Sequence, residues 1–137
     1  MLAVHLIKTY CLPMLLYSCE IWGARPVDMR SVDVSWNNAF SKIFNACWRE
    51  SIKPLQFYCS SLPASVLVHQ HRILFWLKMV RSDNVILHIL AGCSRDSVIA
   101  LLFKYSPIDS YCEPSMLSSC VVKRRFWLYF SNLCQAV

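Results

Sequence analysis

The sequence predicts an all-α fold of about six helices, a long kinked apolar N-terminal helix followed by amphipathic ones. Two observations carry this. The 137 residues include only two glycines, Gly23 and Gly92, and no Asn-Gly or Asp-Gly pair that would close a hairpin. A β-rich domain with many tight turns needs more of both. Apolar residues recur instead at three- and four-residue spacing.

Leu2 to Trp22 is apolar nearly all round, which predicts a buried helix. Pro13 removes a donor and crowds the preceding turn, so a kink or break is expected there. Gly23 is expected to stop the helix, and Arg25-Pro26 to make the turn. Asp28 to Trp48 is the clearest amphipathic helix. Met29, Val32, Trp36, Ala39, Phe40, Ile43 and Cys47 mark its inner face, and Ser31, Ser35, Asn38, Lys42 and Asn45 its outer one. Lys53-Pro54 is expected to close it, because the residue before proline is pushed out of helical geometry.

Leu55 to Cys59 is a short apolar piece. Ser61-Leu62-Pro63 reads as a helix start, with Val66, Ile73, Leu74, Leu77 and Val80 pointing inward as far as Arg81. Ser82 is expected to cap a helix ending at Ala91, with Gly92 as its stop. Ser94 would cap the next, ending before Pro107. Pro114 opens the last helix, which runs to about Cys134. Residues 1–53 and 54–137 form the two halves of this organisation.

Composition narrows the function classes. Apolar residues make up 56% and charged ones 16%, against about 45–50% and 25% in ordinary domains. Such a chain is expected to lay apolar surface on a partner or to be part of something larger. The net charge of +6 favours a polyanion. The eight cysteines include no Cys-x-x-Cys, and neither His69 nor His71 has a cysteine pair beside it. No metal or other cofactor is therefore expected. All eight are read as reduced thiols, with Cys47 and Cys59 packing as small hydrophobes, which places the chain inside the cell, in cytoplasm or nucleus. A membrane is not the expected partner. The longest stretch without Lys, Arg, Asp, Glu or His is Pro54–Val68, short of the roughly 20 residues a span needs, and Lys8 interrupts the apolar N-terminus.

Leu15-Leu16-Tyr17-Ser18-Cys19-Glu20-Ile21-Trp22 resembles the Leu-Leu-Tyr-(Gly/Ser)-x-Glu-x-Trp signature that follows the palm in reverse transcriptases of non-long-terminal-repeat retrotransposons. The resemblance continues through Asp28, Ser31, Phe40, Lys42, Ile43 and Phe44. It runs on through Leu55-Gln56-Phe57-Tyr58, Leu62-Pro63, Phe75-Trp76-Leu77-Lys78-Met79, Asn84, Ile86-Leu87 and Leu90-Ala91-Gly92. Lys123 to Phe130 is similar to the family's closing Val-Trp-x-x-Phe segment, with Phe126-Trp127 in place of Val-Trp. Ser18 stands where glycine is common. The resemblance implies a position: thumb-like helices over 1–53 and the post-thumb helical region over 54–137. The family's thumb holds a template–primer duplex against the palm.

The resemblance also implies an absence. Polymerase chemistry needs carboxylates holding two metal ions about 4 Å apart. The family's Tyr-x-Asp-Asp is not in this sequence, and no two of the eight acidic residues are adjacent. Asp28 and Asp33, five residues apart, would diverge by about 140° around a helix. Neither a catalytic residue nor a small-molecule substrate is expected, and there is no Gly-x-Ser-x-Gly and no glycine-rich phosphate loop. The expected partners are RNA or an RNA–DNA duplex, and the palm and fingers of a polymerase.

Candidate contacts to phosphate are Arg72 and Lys78 on one helix and Lys123, Arg124 and Arg125 on the last. Phe126, Trp127, Tyr129 and Phe130 follow the basic run and could stack on bases. Trp127 and Phe130 stand at core spacing, however, which favours a buried aromatic stripe beneath a solvated basic turn. Glu20, on an otherwise apolar stretch, needs a partner, and Arg25 or a basic helix could supply one. A helical protein-interaction module and a small membrane-associated protein using Leu2–Trp22 are the alternative readings.

Overall fold

The computed structural model describes residues 2–21, 25–47, 49–105 and 114–135. Six helices are α1 (Leu2–Leu15), α2 (Pro26–Phe44), α3 (Lys53–Tyr58), α4 (Ala64–Val80), α5 (Val85–Tyr105) and α6 (Ser119–Gln135). No strand occurs among the described residues, so the fold is all-α as expected.

Pro13 shapes α1 differently from a simple break. Proline has no N–H, and its ring crowds the carbonyl four residues back. The helix answers with a π turn over Ile7–Cys11, in which the Leu12 N–H reaches the Ile7 carbonyl, five residues away. The helix ends at Leu15 rather than Trp22, and residues 16–21 continue as turns; Trp22 and Gly23 lie outside the described residues. Nor is α1 the buried helix its composition predicts. Val4 is buried, but Leu2, Tyr10 and Met14 are exposed, because α1 meets neighbours on one side only. Lys8 has a structural task. Its Nζ donates to the carbonyl oxygens of Cys59 and Ser60 at 2.6 and 3.0 Å, closing the C-terminal end of α3.

Helix α2 begins two residues before its expected start. Pro26 fits the first turn, where a missing N–H costs nothing. Asp28 accepts the Arg25 backbone N–H and its guanidinium Nε, each at 3.2 Å. The helix ends at Phe44, not Trp48, because Asn45 takes a left-handed conformation at φ 49°. Trp36 and Phe40 are buried and meet edge to face at 5.2 Å; Met29, Val32, Ala39 and Ile43 are half-buried. Cys47, expected on this inner face, is exposed beyond the helix end. Lys53-Pro54 opens α3 instead of closing α2, since proline near a helix start is preorganised for it.

Helix α4 is the spine. Ala64 packs with Trp36, Phe40 and Val4, and Val68 with Leu16 and Cys19. The other face, with Val66, Ile73, Trp76 and Leu77, enters the largest core cluster together with Val98, Leu102, Val122, Phe126 and Phe130. Polar groups at the α2–α4 joint are satisfied. Trp36 Nε1 donates to the Leu62 carbonyl at 3.2 Å, and Asp33 accepts the Ser65 N–H at 2.8 Å at the positive end of α4. Asp28 and Asp33 thus serve two different helix starts.

The two helices expected on either side of Gly92 are one. Asn84, not Ser82, caps it by accepting the Ile86 N–H at 2.9 Å. The helix then runs unbroken through Gly92 and Ser94 to Tyr105. Trp76 Nε1 donates to the Ala91 carbonyl at 2.9 Å, while His69 lies against Tyr105, so α5 runs antiparallel to α4. Helix α6 does the same. Arg81 Nη2 donates to the Leu117 carbonyl at 2.7 Å at one end, and Phe57 stacks on Trp127 at 5.6 Å toward the other. Pro114 opens only a 3-10 turn to Met116; α6 starts at Ser119, where Ser118 accepts the Val121 N–H at 3.3 Å.

Candidate nucleic-acid interface

The five basic residues separate by environment. Lys78, in the last turn of α4, is exposed, as are Lys123 and Arg124 in the first turns of α6. The Arg81–Leu117 hydrogen bond ties the end of α4 to the start of α6, so these three cations share one end of the bundle. Arg72 is elsewhere. It is half-buried, and its Nε donates to the Cys19 carbonyl at 3.2 Å. Arg125 is half-buried too, and its Nη1 is buried without a hydrogen-bond partner among the described residues.

The aromatics after the basic run face the core. Phe126 and Phe130 are buried, Tyr105 stacks on Phe126 at 4.5 Å, and Tyr129 meets Tyr105 edge to face at 4.9 Å. Trp127 is half-buried against Phe57. The basic residues therefore offer charge to a ligand, while the rings that follow them are turned inside.

A second cluster joins segments far apart in sequence. Ser18 takes a left-handed φ of 56°, and the turn it makes places Cys19 and Glu20 against α4. Backbone bonds from Cys19 to Leu16 and from Ile21 to Ser18, each 3.1 Å, hold that turn. Glu20 Oε1 lies 3.5 Å from His71 Nδ1, so the partner of Glu20 is on the basic helix, while Arg25 pairs with Asp28. The Cys19 sulfur, a Glu20 oxygen and a His71 nitrogen all fall within 4.8 Å of one another. Cys19 is fully buried, and burial first, then the Glu20 charge, pushes its thiol up to about 11. Glu20 and His71 border a cleft of about 500 Å³ with Leu12, Leu16, Ile21 and Phe75. The spacing of cysteines and histidines gave no sign of this trio. The one signal was Glu20, a carboxylate in apolar company.

The other histidine of α4, His69, is half-buried against Tyr105. His69 Nδ1 and the Tyr105 hydroxyl are hydrogen-bonded, and burial, with Lys104 and Arg72 nearby, lowers the imidazole to about 4. The seven cysteines among the described residues are free thiols, and Cys112 lies outside them.

No family model, no curated protein and no solved structure matches this chain.

Proposed function

We propose that the chain is the thumb and post-thumb helical region of a retrotransposon reverse transcriptase, without the catalytic palm, and that it grips RNA or an RNA–DNA duplex through the phosphate backbone. The observation that carries this is the shared position of Lys78, Lys123 and Arg124, exposed on adjacent antiparallel helices. Cations so placed neutralise phosphates and read no sequence. Arg72, bonded to the Cys19 carbonyl, and Arg125 are half-buried and add less to the grip. With the nearby rings turned inward, base stacking is a minor part of the grip.

The turn at Ser18 supports the resemblance. Glycine is common at that position of the signature, and here the residue adopts a φ that favours glycine. The exposed apolar residues of α1 and α5 also support it. Leu2, Met14, Val85, Ile86 and Ile89 are the kind of surface a thumb would turn toward the rest of its polymerase. By length and composition α5 could cross a membrane, with mean hydropathy 1.7. Arg95 and Asp96 fall at its middle, where each would cost about 2.5–3.5 kcal/mol in a bilayer. That cost favours a protein neighbour over lipid.

Filter binding to an RNA–DNA hybrid tests the proposal. Binding at low salt that weakens steadily as salt rises supports it. Absence of binding at low salt, or binding indifferent to salt, defeats it.

A further inference from the structure

We infer that Cys19, Glu20 and His71 form a mononuclear site for a borderline-soft divalent cation, of which Zn²⁺ is the natural example, with an open coordination position facing the adjoining cleft. The donor set is one thiolate, one carboxylate and one imidazole, three groups that zinc accepts together. Their charge suits a half-buried place. Thiolate and carboxylate together balance a dication, and the neutral imidazole adds none. Binding releases one proton, as the Cys19 S–H bond gives way to a sulfur–metal bond and the proton passes to solvent.

The geometry is close to what the ion needs. Metal–ligand bonds of about 2.0–2.3 Å set tetrahedral donors roughly 3.3–3.7 Å apart. Glu20 and His71 are already 3.5 Å apart, and the sulfur lies within 4.8 Å of both. A side-chain adjustment of about an ångström closes the set. Two independent supports hold the donors. The left-handed turn at Ser18 and the Arg72 bond to the Cys19 carbonyl fix the Cys19-Glu20 peptide, and α4 carries His71. Arg72 Nε therefore engages the peptide oxygen.

Three protein ligands rather than four is the pattern of zinc sites that keep a position for water or a substrate group. That position faces the cleft, since Glu20 and His71 border it while the buried sulfur lies behind them. The site shares no residue with Lys78, Lys123 and Arg124, the exposed cations of the phosphate grip, so either can fail without the other.

Co²⁺ titration of the whole chain under a non-thiol reductant is the test, with Zn²⁺ added afterwards. The expected result is a thiolate-to-cobalt charge-transfer band with intense visible bands of tetrahedral cobalt, both bleached by Zn²⁺. Cys19→Ser removes the charge-transfer band, and Cys93→Ser, an exposed control, leaves it. Glu20→Gln and His71→Ala, both at half-buried positions, each weaken cobalt affinity by about tenfold or more, since even outer-sphere partners cost that much. These two variants decide the matter if Cys19→Ser does not fold. No charge-transfer band in the wild-type chain, a band that survives Cys19→Ser, or undiminished affinity in both Glu20→Gln and His71→Ala would overturn the site and leave a plain Glu20–His71 contact.

Discussion

The Nδ1 of His69 and the Tyr105 hydroxyl are hydrogen-bonded, joining α4 to the last residue of α5. Burial favours the neutral imidazole at this contact. Burial, then Lys104 and Arg72, holds His69 down to about 4, and burial pushes Tyr105 up to about 12. An unfolded chain takes up a proton on His69 near pH 6.5, whereas the folded chain waits until about 4. Between those values the unfolded state binds more protons, so stability falls as pH falls. The ring keeps some contact with water, which limits the loss to about 1–2 kcal/mol. Urea melts at pH 7 and pH 4.5 should show it. Tyr105→Phe, which removes the hydroxyl, should cost about 1–2 kcal/mol at pH 7. Equal midpoints for the wild-type chain at the two pH values would contradict the neutral imidazole.

Local chemistry made part of this fold legible and tertiary contact decided the rest. The inner face of α2 was readable because Trp36 and Phe40 repeat at helical spacing, and one neighbouring surface suffices to bury such a stripe. The limits of α1 were not, since composition cannot say how many sides of an apolar helix find neighbours. Lys53-Pro54 was read as an end and is a beginning, because proline suits both places. Glu20 announced the need for a partner, but His71 could be found only once the fold brought α4 beneath it. Among the basic residues, sequence gave the charge, and packing set exposed Lys123 apart from half-buried Arg72.

Lys8 should matter to stability despite its place in an apolar helix. Its ammonium donates to two carbonyl oxygens at the end of α3. Lys8→Met keeps the stem and removes both charged hydrogen bonds, which should cost about 1–3 kcal/mol. The denaturation midpoint should drop with an unchanged slope, the pattern of lost stability without altered compactness. An unmoved midpoint would mean that water replaces the ammonium at no cost.

The phosphate grip can be dissected residue by residue. If Lys78, Lys123 and Arg124 each neutralise one phosphate, the log–log salt slope for a hybrid duplex should be about −2.7. Lys123→Glu with Arg124→Glu should reduce it to about −1 or abolish binding. Arg72→Gln should act differently. It breaks the bond to the Cys19 carbonyl and costs about 1 kcal/mol of stability, with a smaller effect on the slope. Fluorescence anisotropy across a salt series, paired with melts of each variant, separates the two behaviours.

Ser18→Gly should stabilise the chain. A non-glycine residue in the left-handed region pays roughly 1–2 kcal/mol, and glycine avoids it at some cost in unfolded-chain entropy. The net gain should be about 0.5–1 kcal/mol. A rise of a few degrees in Tm is the expected reading, and a fall would mean that the serine side chain secures the turn by some other contact.

Gly92→Ala is the sharper test of how α5 is built. Gly92 was expected to stop one helix before Ser94 began another, which would have called for a left-handed residue there. The chain instead continues as helix through it, and Ser94 Oγ turns back to the Leu90 carbonyl at 3.0 Å, as an interior serine does. A methyl group at Gly92 would meet nothing within 4 Å, so the substitution carries no steric cost. Glycine inside a helix is disfavoured against alanine by about 0.8–1 kcal/mol. Gly92→Ala should therefore raise stability by about that amount and slow amide exchange on both sides of residue 92. Two helices meeting at a left-handed glycine would respond in the opposite sense, because alanine is strained at positive φ. The sign of one measured change thus distinguishes a continuous α5, presenting Ile86, Ile89 and Phe103 on one long exposed surface, from two short helices free to turn those residues inward.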